Sequence, residues 1–527
     1  MTPNEYGLPY DTFRPGQLEA IQWAYGLEQP GIIQAPTGSG KTALPRAISQ
    51  NHRTISLVRT KALQQENYAD DMGFVPLFGR GNYPCPHPMA PLDAMADVCR
   101  HPANMTRCPV FTECAYFNQR NKASASRRAS LNYAYWFGVY SNWSPPEYLV
   151  LDEGHQLPDL VLEWAGCTIN DTHRVHWDLP IFPLITTGPM QDGKTSERAV
   201  AWLTKVQHKI TEAYRYYAQR QDDDAKAAQE ARNAERFGVK ISATLQAMAA
   251  APNDWFIKSG PVALTNRSGE KVMGFTARPL TARHHFKRYF QNGEHKLLIM
   301  SATIGDPAVF AQELGIPEFE YHEVASAWSP QVRPVHALDV PRIGHNTGES
   351  GYQKQAQVIA KSIRECPKTW DGIVHTSSIK QAHELARRLS SFGLGDRVWV
   401  PQKGTATDDM IYQWGARMAR YPGSIMVTWA LGEGYNGTRE KINIVAKVMY
   451  PALDEFEQRR KSYNGKLFLQ RAAWATEQAL GRSRRGRPED YDIDGKVNGF
   501  VAIADDSWRW IKGYLSPALR ESIVTNR

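Results

Sequence analysis

A glycine-rich segment near the amino terminus has the residues needed to hold a phosphate chain. It reads APTGSGKT and lies between the apolar stretch GIIQ and a helical pattern. Glycines let such a loop curl with its backbone N–H groups inward, and a following helix start favours negative charge. Lys41 would reach the β and γ phosphates of ATP, and the Thr42 hydroxyl would hold Mg²⁺. The residues expected to contact the nucleotide are Thr37, Gly38, Ser39, Gly40, Lys41 and Thr42.

A second, acidic segment would complete this nucleotide site. LVLDEGH occupies residues 149 to 155, and Asp152 comes directly after an apolar strand pattern. Asp152 can bind Mg²⁺ through water, Glu153 can serve as the base, and His155 would couple the site to another domain. Two acids at a strand end are often only a solvated surface. The prediction therefore depends on their combination with the glycine-rich loop.

Four of the six cysteines are crowded into one segment, whereas Cys167 and Cys366 stand alone. In a reducing compartment such a cluster is more often a metal site than a pair of disulfides. The segment around it is rich in Cys, Pro, Asn and Arg and has weak periodicity, as expected of an insert organised by a metal. The candidate metal ligands are Cys85, Cys99, Cys108 and Cys114.

The same segment carries basic residues that are followed by the aromatic run LNYAYWF. Cations along a backbone, with aromatic faces for base stacking, are what a single-strand channel requires. Because LNYAYWF could equally pack in the core, we predict DNA contacts for the cations and not for the aromatics. These cations are Arg120, Lys122, Arg127 and Arg128.

Short apolar segments must position these residues, and helical patterns separate them. Runs that are apolar on both faces suit the strands of a buried parallel sheet, so the predicted fold class is α/β. Between about 166 and 270 the pattern changes, because Val200, Leu203, Val206 and Ile210 recur at helical spacing and predict a helical insertion. The predicted strands are 31–33, 55–58, 148–152, 296–301, 372–375, 424–428 and 443–450.

Length and composition limit the class of protein. With 527 residues, several domains are expected. A net charge of +8 mildly favours a polyanionic partner, and no apolar run is long enough to cross a bilayer. The amino terminus has no basic start followed by an apolar stretch, so we expect an intracellular protein, in the cytoplasm, nucleoid or nucleus, that is not secreted.

These motifs resemble those of the XPD and DinG type of iron–sulfur helicases, in superfamily 2. DEGH stands where the family has DEAH, and Gly in place of Ala is expected to change little. The segment Met300 to Gly315 is similar to the Ser-Ala-Thr motif that links ATP hydrolysis to domain movement. VRTKALQQ is similar to a DNA-contacting segment, which implies contacts from Arg59 and Thr60.

Further nucleotide contacts are implied by the resemblance. QALGRSRR matches a motif in which Gln478, Arg482 and Arg485 face the nucleotide from a second motor domain. Guanidinium groups from a facing domain stabilise charge on the γ phosphate only when the cleft is closed. In isolation GRSRRGRP could be only a solvated basic turn. Weaker similarities add Gln17 for adenine and the pair Glu433 and Gly434.

The resemblance also interprets the clustered cysteines. FGRGNYPC and CPVFTECAYF resemble the two ends of the family's cluster-binding segment, which implies a [4Fe–4S] cluster on the four thiolates. Zinc is the main alternative, because four thiolates suit it equally and His87 or His101 could replace one of them. The paired C-x-x-C spacing of common zinc ribbons is absent.

The implied architecture is two RecA-like motor domains with an iron–sulfur insert and a helical arch insert in the first. We expect an ATP-dependent 5′→3′ DNA helicase, a monomeric motor on single-stranded DNA and tailed or forked duplexes. The alternatives are a translocase on duplex DNA or RNA without strand separation, and a metal-dependent nucleic-acid-binding protein. The expected ranges are motor domain 1 at 1–84, 129–165 and 271–326, the iron–sulfur insert at 85–128, the arch at 166–270 and motor domain 2 at 327–527.

Overall fold

The architecture consists of two parallel sheets covered by helices, with additional elements inserted in the first half of the chain. This computed structural model describes residues 1–36, 38–87, 94–96, 108–185, 193–220, 225–265, 271–291, 293–325, 334–429, 440–481, 492–493, 496–497 and 499–525. None of the helices within these ranges is both long and apolar enough to cross a membrane.

The first part of the chain alternates strands with helices. A π-helical turn, Gln64–Asp70, follows its third helix directly. The elements are α1 (Gln17–Tyr25), β1 (Gly31–Gln34), α2 (Ala43–Ile48), β2 (Thr54–Val58), α3 (Lys61–Leu63), β3 (Val75–Leu77), α4 (Ala115–Ala125), β4 (Arg128–Asn132), α5 (Tyr133–Val139) and β5 (Tyr148–Leu151).

The next part contains two long helices and a return to the first sheet. Its elements are α6 (Leu157–Ala165), β6 (Cys167–Asn170), α7 (Asp171–His176), α8 (Gly193–Ala218), α9 (Ala225–Ala250), β7 (Trp255–Thr265), β8 (Lys271–Pro279), α10 (Phe286–Phe290), β9 (Lys296–Ser301), α11 (Pro307–Leu314) and β10 (Glu320–Glu323).

The first sheet has seven parallel strands in the order β10-β1-β9-β5-β2-β4-β3. The predicted strands at 31–33, 55–58, 148–152 and 296–301 are confirmed as β1, β2, β5 and β9. Every residue of β1, β2 and β5 is buried, as expected for a sheet covered on both faces. Since the strands are parallel, the loops that follow them all lie along one edge. That edge carries the glycine-rich loop and the acidic segment.

The predicted helical insertion contains two helices and also a sheet. Its periodic residues lie on α8, where Leu203, Val206 and Ile210 are buried against α9. The two helices share their core with a three-stranded antiparallel sheet, β6-β8-β7, which the periodicity does not predict. Trp202 of α8 packs on Phe275 of β8 with ring centroids 4.7 Å apart. The expected boundary at residue 270 therefore separates two paired strands.

The second half of the chain forms another seven-stranded parallel sheet, in the order β13-β14-β12-β15-β18-β11-β19. The predicted strands at 372–375 and 424–428 are confirmed as β12 and β14, whereas the strand predicted at 443–450 is β15, which ends at Val445. The elements are β11 (Val335–Ala337), α12 (Glu349–Glu365), β12 (Gly372–His375), α13 (Ile379–Leu389), β13 (Val398–Trp399), α14 (Thr407–Arg420), β14 (Ile425–Thr428), β15 (Ile442–Val445), α15 (Glu455–Tyr463), α16 (Gly465–Leu480), β16 (Asp492–Ile493), β17 (Lys496–Val497), β18 (Phe500–Ile503), α17 (Trp508–Ile511), α18 (Pro517–Ser522) and β19 (Ile523–Thr525).

Candidate functional site

The glycine-rich loop connects β1 to α2. Gly38 and Gly40 have φ angles of 89° and 80°, a left-handed conformation that favours glycine. The N–H of Ala35 donates to the Ser301 carbonyl at 2.8 Å, so the start of the loop is fixed to β9. Ser39 is buried and Lys41 is half-buried, whereas Thr37 lies outside the described residues. The loop thus has the curled backbone that its sequence predicts.

Gln17 lies behind this loop with its amide engaged by protein atoms. Its Nε2 donates to the Gly40 carbonyl at 3.1 Å, and its Oε1 accepts the Arg14 N–H at 3.1 Å. The residue is buried, and a side chain added at Gly40 would collide with it. In this structure Gln17 therefore holds the loop, and its contact with adenine stays a prediction.

The acidic segment meets the loop at the carboxyl end of β5. Asp152 is buried: its Oδ2 accepts the Tyr68 hydroxyl at 2.9 Å, and its Oδ1 accepts the Glu153 N–H at 2.8 Å. Burial, with the nearby charge of Glu153, raises the pKa of Asp152 to about 6, although Lys41 opposes this increase. Glu153 has a left-handed φ of 53°. Lys41, the buried Asp152 and the candidate base Glu153 thus lie close enough together for their charges to interact.

His155 links this acid pair to the Ser-Ala-Thr segment. Its Nδ1 lies 2.9 Å from the Ser301 Oγ and 3.5 Å from a Glu153 carboxylate oxygen. The ring of Trp474, on α16 of the second domain, lies 6.1 Å away at 65°. His155 thus contacts both domains, as its predicted coupling role requires.

The packing around Gly154 leaves no room for the Ala that XPD and DinG helicases have in this motif. A Cβ at this position would lie 2.4 Å from the Ile299 Cγ2 and 3.3 Å from the Met300 carbonyl oxygen. Ile299 is fully buried on β9, and a β-branched side chain has little rotamer freedom. The expectation that Gly and Ala are nearly equivalent here does not fit this packing.

We therefore expect Gly154→Ala to lower the free energy of unfolding by about 1–3 kcal/mol, because it overpacks the core beside Ile299. Thermal unfolding followed by circular dichroism measures the change. Gly415→Ala is the matched control, since Gly415 lies within α14 and its added Cβ would meet no atom within 4 Å. That control is expected to be neutral or stabilising by up to about 1 kcal/mol. Equal stability of Gly154→Ala and the parent protein would contradict the packing argument.

Helix α16 of the second domain contacts the segment after β9. Gln470 donates to the Ile304 and Asp306 carbonyls at 2.9 and 3.2 Å, and Trp474 Nε1 donates to the Ile304 carbonyl at 2.8 Å. Gln478, predicted to face the nucleotide, donates to the Thr303 hydroxyl at 3.2 Å. Helix α16 is therefore hydrogen-bonded to the Ser-Ala-Thr segment and to the residues that follow it. The other predicted contacts of this domain, Arg482, Arg485, Glu433 and Gly434, lie outside the described residues.

A cluster of ion pairs adds to this domain contact. Arg460 is almost fully buried and pairs with Asp159 at 2.5 Å, and Arg471 pairs with Asp159 at 3.0 Å. Although burial raises the pKa of Asp159, the two guanidinium groups outweigh it and bring the pKa to about 2. Asp159 lies on α6, shortly after the acidic segment, so the ion pairs connect the second domain to the helix that follows that segment.

The second domain also touches the base of the helical insertion. Lys258 of β7 pairs with Glu455 of α15 at 2.8 Å. The guanidinium of Arg278, on β8, lies 3.8 Å from the centre of the Phe456 ring. The insertion is thus in contact with both domains.

A cavity of about 760 Å³ lies at the edge of the first sheet where its parallel strands end. Its wall comes from the start of α3, the segment after β3, the end of β4 with α5, α4 of the cysteine-rich segment, and α9 of the helical insertion. The guanidinium of Arg80 stacks 5.2 Å from the Tyr116 ring, and the Tyr116 and Tyr135 hydroxyls are 2.9 Å apart. The wall is strongly basic, with one acid, Glu235, against Lys61, Arg80, Arg120, Arg232 and Arg236.

Only one of the predicted DNA-binding cations lines this cavity, namely Arg120. Lys122 is two residues further along α4 and points to another side of the helix. Arg127 donates to the Gln50 carbonyl, and Arg128 begins β4, so both lie at the opposite edge of the sheet. Arg59 is exposed next to α3, and Thr60 caps that helix by accepting the Leu63 N–H at 3.2 Å.

Other cavity residues were not predicted as DNA contacts. Lys61 and Arg80 lie within motifs quoted above, whereas nothing in the sequence distinguishes Arg232 and Arg236 from the solvent-facing charges of a helix. In the structure Arg232 is buried. Among the aromatics, Tyr133 and Trp136 are buried in the core, while Tyr135 lines the cavity.

The described cysteines do not form a complete metal site. Cys85 and Cys108 are partly exposed, Cys114 is buried before α4, and Cys99 lies outside the described residues. Within the described ranges no three His, Cys, Asp or Glu side chains are arranged to hold a metal. The donor set suits iron or zinc chemically, but the support for a cluster comes from the sequence resemblance.

Two seven-stranded parallel sheets covered by helices, with a glycine-rich loop and an acidic strand end at one edge of the first, define a two-domain, RecA-like fold. The particular likeness is to XPD helicases. One XPD helicase structure matches with a TM-score of 0.57 and 14% identity over 98% of this chain and 100% of that one. An XPD structure described as apo matches with a TM-score of 0.52 and 14% identity over 97% and 99%. No protein family and no curated protein matches the sequence. At this identity the likeness establishes the fold.

Proposed function

We propose that this protein is an ATP-driven DNA helicase that moves 5′→3′ along single-stranded DNA and unwinds duplexes. The observation that carries the proposal is the basic cavity at the same sheet edge as the nucleotide site. Its volume, about 760 Å³, is in the range of cavities that enclose small ligands, roughly 300–1,000 Å³. A few nucleotides of one strand suit such a space better than a duplex does.

The nucleotide roles proposed for the first domain are supported by the proximity of Lys41, Asp152 and Glu153. Lys41 neutralises the phosphates, Thr42 and Asp152 are the residues that would hold Mg²⁺, and Glu153 orients and deprotonates the attacking water. Bound Mg²⁺ would supply charge neutralisation at the β and γ phosphates. Arg482 and Arg485, with Gln478, would complete the site from the second domain when the cleft closes.

The residues proposed to bind single-stranded DNA line the cavity. Arg120 and the cations around it would bind the phosphate backbone, and Tyr135 offers an aromatic face for base stacking. We expect Arg120→Ala to raise the single-stranded DNA concentration for half-maximal ATPase stimulation about 5–10-fold. The salt dependence of DNA binding should fall by about 0.7 in log–log slope, as for one lost phosphate contact.

Arg127→Ala is the matched control, because Arg127 was predicted to bind DNA but lies at the opposite edge of the sheet. It should leave both the half-maximal concentration and the salt slope unchanged. If the two substitutions weaken DNA binding equally, the strand does not pass through the cavity. If DNA stimulates no ATP hydrolysis in the parent protein, the helicase proposal itself fails.

The cysteines are proposed to hold a [4Fe–4S] cluster. Protein purified without oxygen is expected to be brown, with about four irons per chain and a visible band that reduction bleaches. Metal analysis and absorption spectroscopy measure this directly. Cys114→Ser should remove the colour and uncouple unwinding but leave some ATPase, whereas Cys366→Ser should leave the colour unchanged. Colourless parent protein containing one zinc would overturn the proposal.

Two other functions would share much of this site. A translocase on duplex DNA or RNA would hydrolyse ATP without separating strands, and a strand-displacement assay distinguishes it. A metal-dependent nucleic-acid-binding protein with an inactive motor would bind DNA but hydrolyse no ATP. Lys41, Asp152 and Glu153, brought together in one site, favour an active motor.

A further inference from the structure

Two buried tyrosine hydroxyls converge on Asp152 from elements that wall the cavity. The Tyr68 hydroxyl donates to the Asp152 carboxylate at 2.9 Å, and the Tyr133 hydroxyl donates to its backbone carbonyl at 2.6 Å. We propose that Tyr68 is a positioning residue that links occupation of the cavity by a strand to the placement of the Asp152 carboxylate. This inference rests on the proposed function and extends it to the control of hydrolysis.

The link from the cavity to Tyr68 is short and continuous. Lys61 lines the cavity, contacts Asn82 across it, and begins the helical run that contains Tyr68. Within that run Gln64 is fully buried, and its Nε2 donates to the Leu77 and Ser130 carbonyls at 3.0 and 2.6 Å. The run is thus fixed to β3 and β4, the strands whose following loops form the cavity wall.

The same run is π-helical between Lys61 and the acid. Gln64–Asp70 has the wider turn of a π-helix, in which the Asp71 N–H donates to the Glu66 carbonyl at 3.1 Å. Such turns are rare and occur frequently at functional sites. Tyr68 is completely buried, and its ring meets Phe74 edge-on at 5.3 Å. A shift of the run therefore moves the hydroxyl together with the ring.

Tyr133 makes a different contact with the same residue. It begins α5, directly after the cavity residue Asn132 and two residues before Tyr135. Its hydroxyl reaches the carbonyl of Asp152 and not the carboxylate that would face Mg²⁺. Both tyrosines thus stabilise the strand end, but only Tyr68 orients the reactive group.

The test compares Tyr68→Phe with Tyr133→Phe, since each removes one buried hydroxyl that donates to Asp152. Tyr68→Phe is expected to reduce the stimulation of ATPase by single-stranded DNA at least about 5-fold, the lower end of typical coupling between sites. Tyr133→Phe should keep the stimulation of the parent protein. Because coupling of binding is reciprocal, a non-hydrolysable ATP analogue with Mg²⁺ should also lose its effect on DNA affinity in Tyr68→Phe alone.

Lys61→Ala provides a second, exposed variant and a double-mutant cycle. The stimulation is measured at single-stranded DNA concentrations that saturate each variant, so that weaker DNA binding by Lys61→Ala does not contribute. If Lys61 and Tyr68 act in one chain of contacts, the double variant then loses no more maximal stimulation than the larger single loss. Losses that multiply in the double variant would overturn the proposal, as would full stimulation in Tyr68→Phe or an equal loss in Tyr133→Phe. Absence of stimulation in the parent protein would instead refute the proposed function, so the two failures are distinguishable.

Discussion

Lys41→Ala is expected to abolish ATP hydrolysis, with a loss of at least about 10²-fold, while single-stranded DNA binding remains close to that of the parent protein. Lys41 follows the curled part of the glycine-rich loop, and its charge acts on the buried Asp152. Removing that charge leaves the transferred phosphate without a cation from the loop. The cavity residues that would bind DNA belong to other loops, so their contacts persist.

The measurements are steady-state ATPase and fluorescence anisotropy of a labelled oligonucleotide. Lys61→Ala is the matched control, because it removes a lysine from the cavity wall and not from the loop. It should weaken DNA binding and leave hydrolysis in the absence of DNA unchanged. ATPase activity that persists in Lys41→Ala would refute the nucleotide assignment.

The protein is expected to unwind DNA with one polarity. We expect unwinding of duplexes that carry a 5′ single-stranded tail and none of duplexes that carry only a 3′ tail. We propose that one strand passes through the cavity, whose wall includes α4, α5 and α9, and that its complement is excluded there. The resemblance to XPD and DinG helicases implies that this strand is drawn through 5′→3′.

A gel assay with three matched substrates, tailed at 5′, tailed at 3′ and blunt, measures this preference. Lys41→Ala should unwind none of them, which separates ATP-driven unwinding from melting by DNA binding. Efficient unwinding from a 3′ tail alone would reverse the polarity and leave the ATPase assignment intact.

The sequence predicts those strands whose residues are apolar on both faces. Strands such as β1 and β5 are apolar on both faces, so their pattern is clear. The edge strand β10, EYHE, is polar and half-buried, and β3 has only three residues, one of them proline. Such strands exist because a neighbour offers backbone hydrogen bonds, which an apolar pattern does not report.

In the candidate site, too, the sequence predicts some residues and misses others. Motifs locate the loop and the acids, because their chemistry needs those residue types at fixed spacing. The cavity is made from residues as far apart as Lys61 and Arg236, and only the fold brings them together. Tyr68 likewise meets Asp152 across 84 positions, and no motif marks it.

Because α15 of the second domain contacts β7 and β8, a movement of that domain would be transmitted to the helical insertion. Lys240 of α9 donates to the Glu163 and Trp164 carbonyls of α6, so the helix is held to the first domain there. Arg232 lies eight residues from Lys240, or roughly 12 Å along the helix axis at 1.5 Å per residue. A tilt of about 10° around this attachment would move Arg232 by about 2 Å. A rotation of the second domain that tilted the insertion would therefore displace Arg232 and Arg236 in the cavity wall.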